Sequence, residues 1–312
     1  MAYFLISFEI IFPLLVYMSV GYFIKRIKMA KEPDFDAINR MIFHIFLPLK
    51  LFLDIISSDF KAAFQIKLIG FNLAGILICF LLFSLIVPRF IKDRRTAPVV
   101  INGISRGNFV IFGLSVAANI YPGRNLGVVS VLAAFTVPLF NIASVVLFEL
   151  YRGEKATVKK LLIEIIKNKF VLAALIGGIA AFLNVKLPYL LLNPLSSIAS
   201  LAVTLALICL GASFSFRSMK KYIKVLAVTS LFRLLIIPCI FISAGVLIGY
   251  RDIELSAIML LFGAPAAAAS YPVAKEMGGN YELAGMIIAV TSVASILSML
   301  MWILTLKSFQ FI

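Results

Sequence analysis

Ten apolar runs of about 20 residues, each long enough to cross a hydrocarbon core about 30 Å thick, take up most of this chain. They lie near 4–24, 37–57, 67–88, 97–119, 126–150, 168–184, 190–214, 225–249, 254–275 and 282–306. With so much of the chain spent on apolar runs, no sizeable soluble domain fits beside them. The composition agrees: 62% of the 312 residues are hydrophobic, 14% are charged, and the mean hydropathy is +1.09. A soluble domain is about half apolar and a quarter charged, so the expected class is an all-α polytopic membrane protein.

The net charge of +15 would suit a nucleic-acid binder, but its distribution points elsewhere. Lys25, Arg26, Lys28 and Lys31 form one cluster, and Arg89, Lys92, Arg94 and Arg95 the next. Two more clusters run from Arg152 to Lys169 and from Arg217 to Lys224, whereas the intervening loops hold only Lys61 and Lys67, Arg124, Lys186 and Arg251. Such alternation is an orientation signal that puts the basic loops in the cytoplasm and both termini outside the cell membrane. The expected partners are the lipid bilayer and a small solute, with no nucleic acid; a homodimer is compatible with the sequence. The first run has no basic region before it and no small-residue cleavage site after it, so it reads as a retained span. Cys79, Cys209 and Cys239 lie within apolar runs, and the chain has one histidine, so no disulfide framework, metal site or cofactor is expected.

The polar stretch RGEKATVKKLLIEIIKNK at 152–169 divides the runs into five and five. The expected organisation is a first five-helix repeat over 1–150, a basic cytoplasmic linker over 151–167 and a second repeat over 168–312. Five is odd, so the second repeat enters the membrane inverted. An internal echo supports a duplication: LPLKLFLDIISSDF at 47–60 aligns without gaps on VTLALICLGASFSF at 203–216. Two runs are also broken. The fourth carries NGISRGNFVIFG at 102–113, and the ninth carries GAPAAAASYPVAKEMGG at 263–279. Glycine and proline weaken the helical ladder there, and the freed N–H and C=O groups need partners in protein or in a wet cavity. Inverted repeats with paired broken helices are the build of secondary transporters, whose sites lie where those helices meet.

These residues resemble the auxin efflux carrier family, including its bacterial malonate-transporter-like branch. The resemblance rests on RGNFVIFGLSVAANIYPG in the fourth run, GAPAAAASYPVAKEMGG in the ninth, LPLKLFLDIIS in the second and RLLIIP at 233–238, and it covers essentially the whole chain. It implies two inverted five-helix repeats whose crossed, broken fourth and ninth helices form the substrate site. It puts that crossing near Gly107 and Asn108 against Ala269 and Ser270, with Pro265 and Pro272 flanking it, and makes Asn108 the leading substrate contact. Plant members have prolines at the crossing where this chain has Gly107, so auxin specificity is not implied. The implied cargo is a small organic anion.

Other candidates come from charge at membrane depth. Lys50 near the middle of the second run costs about 2.5–3.5 kcal/mol to insert, so a partner or wet cavity is expected. Asp54 lies one turn on, and the two either fix the helix as an ion pair or serve as anion contact and proton carrier. His44 is either a packing residue or a proton relay, since an ordinary histidine titrates near about pH 6.5. Arg106 beside the crossing either anchors its helix or binds a carboxylate by a two-pronged hydrogen bond. Ser270, Tyr271, Asn119 and Asn141 are candidates to line the path. Arg233 is expected to snorkel to the cytoplasmic face, and Lys275 and Glu276 to pair at the surface.

The expected function is therefore secondary transport of a mono- or dicarboxylate by alternating access, coupled to protons or membrane potential. A sodium-coupled carrier of the bile-acid type shares the architecture but needs acid-rich cation sites, and acids are scarce beside both broken runs. A membrane enzyme would need a paired-aspartate, HExxH or GxSxG arrangement, none of which occurs. A receptor needs no pair of broken helices. No GxxxxGK[ST] loop is present to drive pumping by ATP.

Overall fold

The computed structural model describes residues 2–56, 65–122, 126–152, 169–183, 185–213 and 220–312, and among them the regular structure is helical throughout. In chain order these are α1 (Ala2–Arg26), α2 (Glu32–Met41), α3 (Leu47–Ile56), α4 (Ile66–Phe90), α5 (Ala97–Ser105), α6 (Leu114–Ile120) and α7 (Gly127–Tyr151). There follow α8 (Lys169–Phe182), α9 (Tyr189–Ser213), α10 (Ile223–Leu231), α11 (Ile237–Ile248), α12 (Asp252–Gly263), α13 (Ser270–Glu276) and α14 (Tyr281–Ser308). Single π-helical turns, Ile42–Phe46 and Phe232–Ile236, join α2 to α3 and α10 to α11, and a third, Phe109–Gly113, leads into α6. Beyond Arg152, the expected basic linker lies outside the described residues.

Among the described residues, five continuous helices are long and apolar enough to cross a membrane: Ile66–Phe90, Val131–Tyr151, Tyr189–Ala212, Ile223–Ile248 and Tyr281–Ser308. The fourth and ninth runs fail that test for a physical reason. α5 has nine residues and α12 has 12, so at about 1.5 Å per residue neither half reaches across a bilayer alone. α4 shows what surrounds the assembly. Leu68, Asn72, Gly75, Ile76, Cys79, Phe80, Phe83 and Val87 are buried at helical spacing, while Leu77, Leu81, Leu85 and Phe90 stand exposed on the other side. A helix apolar all round with one face bare is suited to lipid, not water.

Each break has a local cause. α12 ends at Gly263 because Ala264 precedes Pro265, and a residue before proline is pushed out of the helical region; its φ and ψ are −60° and 148°. α5 ends where Arg106 turns extended, at φ −101° and ψ 112°, ahead of Gly107. The start of α5 is fixed by Asp93, whose backbone carbonyl accepts from Thr96 and Ala97 N–H and whose carboxylate accepts from Arg95 N–H. The Thr96 hydroxyl foremost, then the N–H groups of Arg95 and Thr96 and the Arg95 charge, hold the Asp93 carboxyl below its ordinary range. What this group contributes to stability is complete above the ordinary carboxylate pKa and lost as pH falls through the lowered value.

The helices gather into two bodies, which meet most extensively where α1 lies against α14. α1 lies along α9, and α3 along α8 and α9. The second body gathers α4, α5, α7 and α10 to α14. The contact between α1 and α9 is unusually close. A Cβ built on Gly21 would lie 1.9 Å from the Ile208 carbonyl oxygen, and one on Gly211 would lie 1.8 Å from that of Met18. Small residues let membrane helices approach to backbone contact in this way.

Candidate functional site

The two breaks meet. Gly107 and Ala266 face each other as an isolated antiparallel bridge, with Asn108 N–H donating to the Pro265 carbonyl at 2.8 Å and Ala267 N–H to the Arg106 carbonyl at 3.3 Å. Ala266 N–H donates to Thr291 Oγ1 at 3.1 Å, and that hydroxyl donates back to Ile287 within α14. Most of the backbone groups freed by the breaks are thus satisfied by the opposing break or by a neighbouring side chain, as a low-dielectric interior requires. The crossing sits on Pro265, Ala266 and Ala267, about one turn before the expected Ala269 and Ser270. The shift follows from where the chain is extended: α13 has already begun at Ser270, so its backbone bonds are spent inside the helix. Pro265 is at the crossing itself and contributes its carbonyl, while Pro272 lies within α13.

Arg233 closes the crossing from behind. Its expected snorkelling does not occur: the side chain is fully buried and donates from Nε to Ala264 O at 2.7 Å and from Nη2 to Leu261 O at 3.0 Å. Nη1 reaches Ile104 O and Ser105 O at 3.3 and 3.4 Å. These are carbonyls at the C-terminal ends of α5 and α12, which a helix cannot satisfy by itself and where its dipole is negative. One guanidinium therefore caps two half-helices.

A partly open cavity of about 640 Å³, its mouth included, lies in front of the crossing. The first body supplies Leu47, Lys50, Leu51 and Val203 to its wall; the second supplies Arg106 to Phe109, Val137, Phe140, Asn141 and Ala267 to Ala269. Arg106 is almost wholly buried, and its fork donates to Asn141 Oδ1 at 2.7 Å and Ser144 Oγ at 3.2 Å. Ser144 in turn bonds Asn102 Oδ1 at 2.7 Å. Among the described residues no carboxylate pairs with Arg106, so its charge is held by neutral dipoles. A cation so held keeps its attraction for an incoming anion.

Of the residues singled out from the sequence, Lys50, Arg106, Gly107, Asn108, Asn141 and Ala269 come together on this wall. Ser270 does not. It faces a much smaller pocket behind the crossing, shared with Val99, Asn102, Gly103, Ala266 and Ala274, and among the described residues its hydroxyl finds no hydrogen-bond partner. Tyr271 is fully buried edge-on against Tyr281 and lines neither cavity, and Asn119 is exposed on α6. Asp54 lies in α3, but its side chain is outside the described residues. His44 is also away from the cavity: Nε2 lies 3.3 Å from Glu276 Oε1. Lys275 pairs with Asp36 at 2.5 Å rather than with Glu276, because i,i+1 neighbours on a helix point apart. Both pairs tie α13 to α2 and the turn that follows it. Sequence reasoning also missed Ser144 and the capping role of Arg233; a polar residue deep in an apolar run was the signal available for each.

Membrane-length helices around two crossing broken helices, with a largely apolar cavity in front of the crossing that carries Lys50, Arg106, Asn108 and Asn141, have the build of a membrane carrier. The chain belongs to the membrane transport protein family, the group of auxin efflux carriers and malonate-transporter-like proteins, whose profile matches residues 6–303. It is 22% identical over 313 residues to an uncharacterized transporter of Methanocaldococcus jannaschii, covering 96% of this chain and 98% of that one. A similar transporter of Methanothermobacter thermautotrophicus is 22% identical over 308 residues, covering 95% and 97%.

Proposed function

We propose that the protein is a secondary carrier of a small organic anion, a mono- or dicarboxylate, across the cell membrane by alternating access. The observation that carries this reading is the wall of the larger cavity: among its described residues are two cations, Lys50 and Arg106, and no acid. Asn108 beside them supplies an amide to orient a carboxylate. The wall is split between two bodies, so a movement of one past the other would turn a bound anion from one side to the other. The ten runs are read as two inverted five-helix repeats, with the basic loops cytoplasmic and both termini outside. The breaks falling in the fourth and ninth runs support that reading.

An anion carried without a compensating ion is driven by voltage at about 2.3 kcal/mol per charge per 100 mV. Lys50 with Asp54 is the pair through which a proton would enter, and His44 is the more distant candidate. Net transport that ignored both pH gradient and voltage would exclude coupling.

The test is a screen of mono- and dicarboxylates in proteoliposomes with Asn108→Ala beside the wild type. The variant is expected to lose about tenfold or more in kcat/KM, the value of one hydrogen bond to a charged group. Full activity in the variant removes Asn108 from the site, and no uptake of any carboxylate by the wild type removes the substrate class. A smaller effect is expected at the contact of α13 with α2: a double-mutant cycle on Lys275 and Asp36 should give a coupling of about 1 kcal/mol or less in thermal unfolding, because the pair is part-exposed.

A further inference from the structure

The guanidinium of Arg233 stands directly behind the cavity wall. A Cβ built on Gly107, which lines the cavity, would lie 1.8 Å from Arg233 Nη2 and 2.8 Å from Cζ, so one glycine backbone separates this charge from the cavity. Its hydrogen bonds go to four backbone carbonyls, and among the described residues no acid pairs with it. An arginine stays protonated under all ordinary conditions, so the crossing keeps a full positive charge that no ligand touches. Without it, the negative ends of α5 and α12 behind Gly107 would lose the cation that caps them.

We propose that Arg233 is a specificity-determining positioning residue. Acting through the backbone of Gly107, it sets how strongly the site prefers a doubly charged anion over a singly charged one. The inference rests on the anion reading above. Its physical content is that the interaction is Coulombic and scales with ligand charge, whereas hydrogen bonding and shape do not. Loss of the charge multiplies the Kd of a monoanion by some factor and that of a dianion of the same shape by about the square of it. Loss of geometry alone multiplies both by the same factor.

The probes are dicarboxylates of three, four and five carbons, each beside its own monoamide, which replaces one carboxylate with a carboxamide of nearly equal size. Kd is measured by titration calorimetry on the purified full-length protein in nanodiscs, for the wild type, Arg233→Gln and Arg233→Lys. For Arg233→Gln the expected losses are roughly fivefold for the monoamide and roughly twenty-fivefold for the diacid, as an effective dielectric well above the apolar limit gives at this depth. Equal losses for the two, or no loss, overturn the proposal while leaving the anion carrier in place. Failure of the wild type to bind any of the six compounds overturns the anion reading, and the proposal with it. Arg233→Lys keeps the charge but loses the fork, so it should keep the wild-type ratio of the two Kd values within about twofold even as its thermal stability falls. Should Arg233→Gln fail to fold, the lysine variant decides: a ratio of the two Kd values that departs from the wild type by more than about twofold, with the charge retained, overturns the proposal.

Discussion

Valine in place of Gly107 abolishes transport and lowers the thermal stability of the purified protein by a margin that no other single change near the cavity should match. The space for a side chain is already filled: a Cβ there meets Arg233 Nη2 at 1.8 Å, Arg233 Cζ at 2.8 Å and the Leu261 carbonyl at 3.0 Å. Neither neighbour can yield cheaply. The guanidinium is tied to both half-helices, and the backbone of the break is pinned to Pro265 and Ala267 by the bridge. Overpacking costs about 1–3 kcal/mol, and each charged hydrogen bond lost adds about 1.5–3 kcal/mol. The total is a large part of a typical folding free energy of about 5–15 kcal/mol. Gly178→Val is the control, because a Cβ there meets nothing within 4 Å. If Gly107→Val unfolds at the wild-type temperature and transports normally, the close packing of Arg233 on the crossing is wrong.

The second large effect is expected where α1 lies along α9 within the first body. Gly211→Leu should cost about 3 kcal/mol or more and yield little monodisperse protein, because its side chain would have to displace the Met18 carbonyl. Gly21→Leu meets the Ile208 carbonyl in the same way, so the two changes act on one contact. Their combined cost in thermal unfolding should fall well short of the sum, since a pair of helices already forced apart is not forced apart twice. Additive losses would mean that the two glycines serve different contacts.

Much of this was legible beforehand. Length and hydropathy carry a membrane-helix signal in every residue of a run, so an all-helical chain with membrane-length helices could be read directly. The breaks could be read too, because glycine and proline act on the backbone where they stand. Harder to see was the register of the crossing. It depends on which carbonyls and N–H groups remain unpaired after each half-helix has satisfied its own, and that count is a property of two segments together. Arg233 was misread for a related reason. Nine residues into an apolar run, an arginine can reach the membrane surface or a helix end, and only the proximity of α5 and α12 decides between them. Lys275 and Glu276 show the same limit: adjacent in sequence, they point apart and find their partners on α2 and the turn after it.

The bridge at Gly107 and Ala266 also bears on how the protein is made. It joins two stretches of chain that leave the ribosome far apart in time. Until the later stretch arrives, the Asn108 N–H and the Arg106 carbonyl have no partner from the ninth run, and the carbonyls at the end of α5 have none from Arg233. A nascent chain halted before Ala264 would hold the break of the fourth run without its partner. Maturation of the first half therefore waits on synthesis of the second.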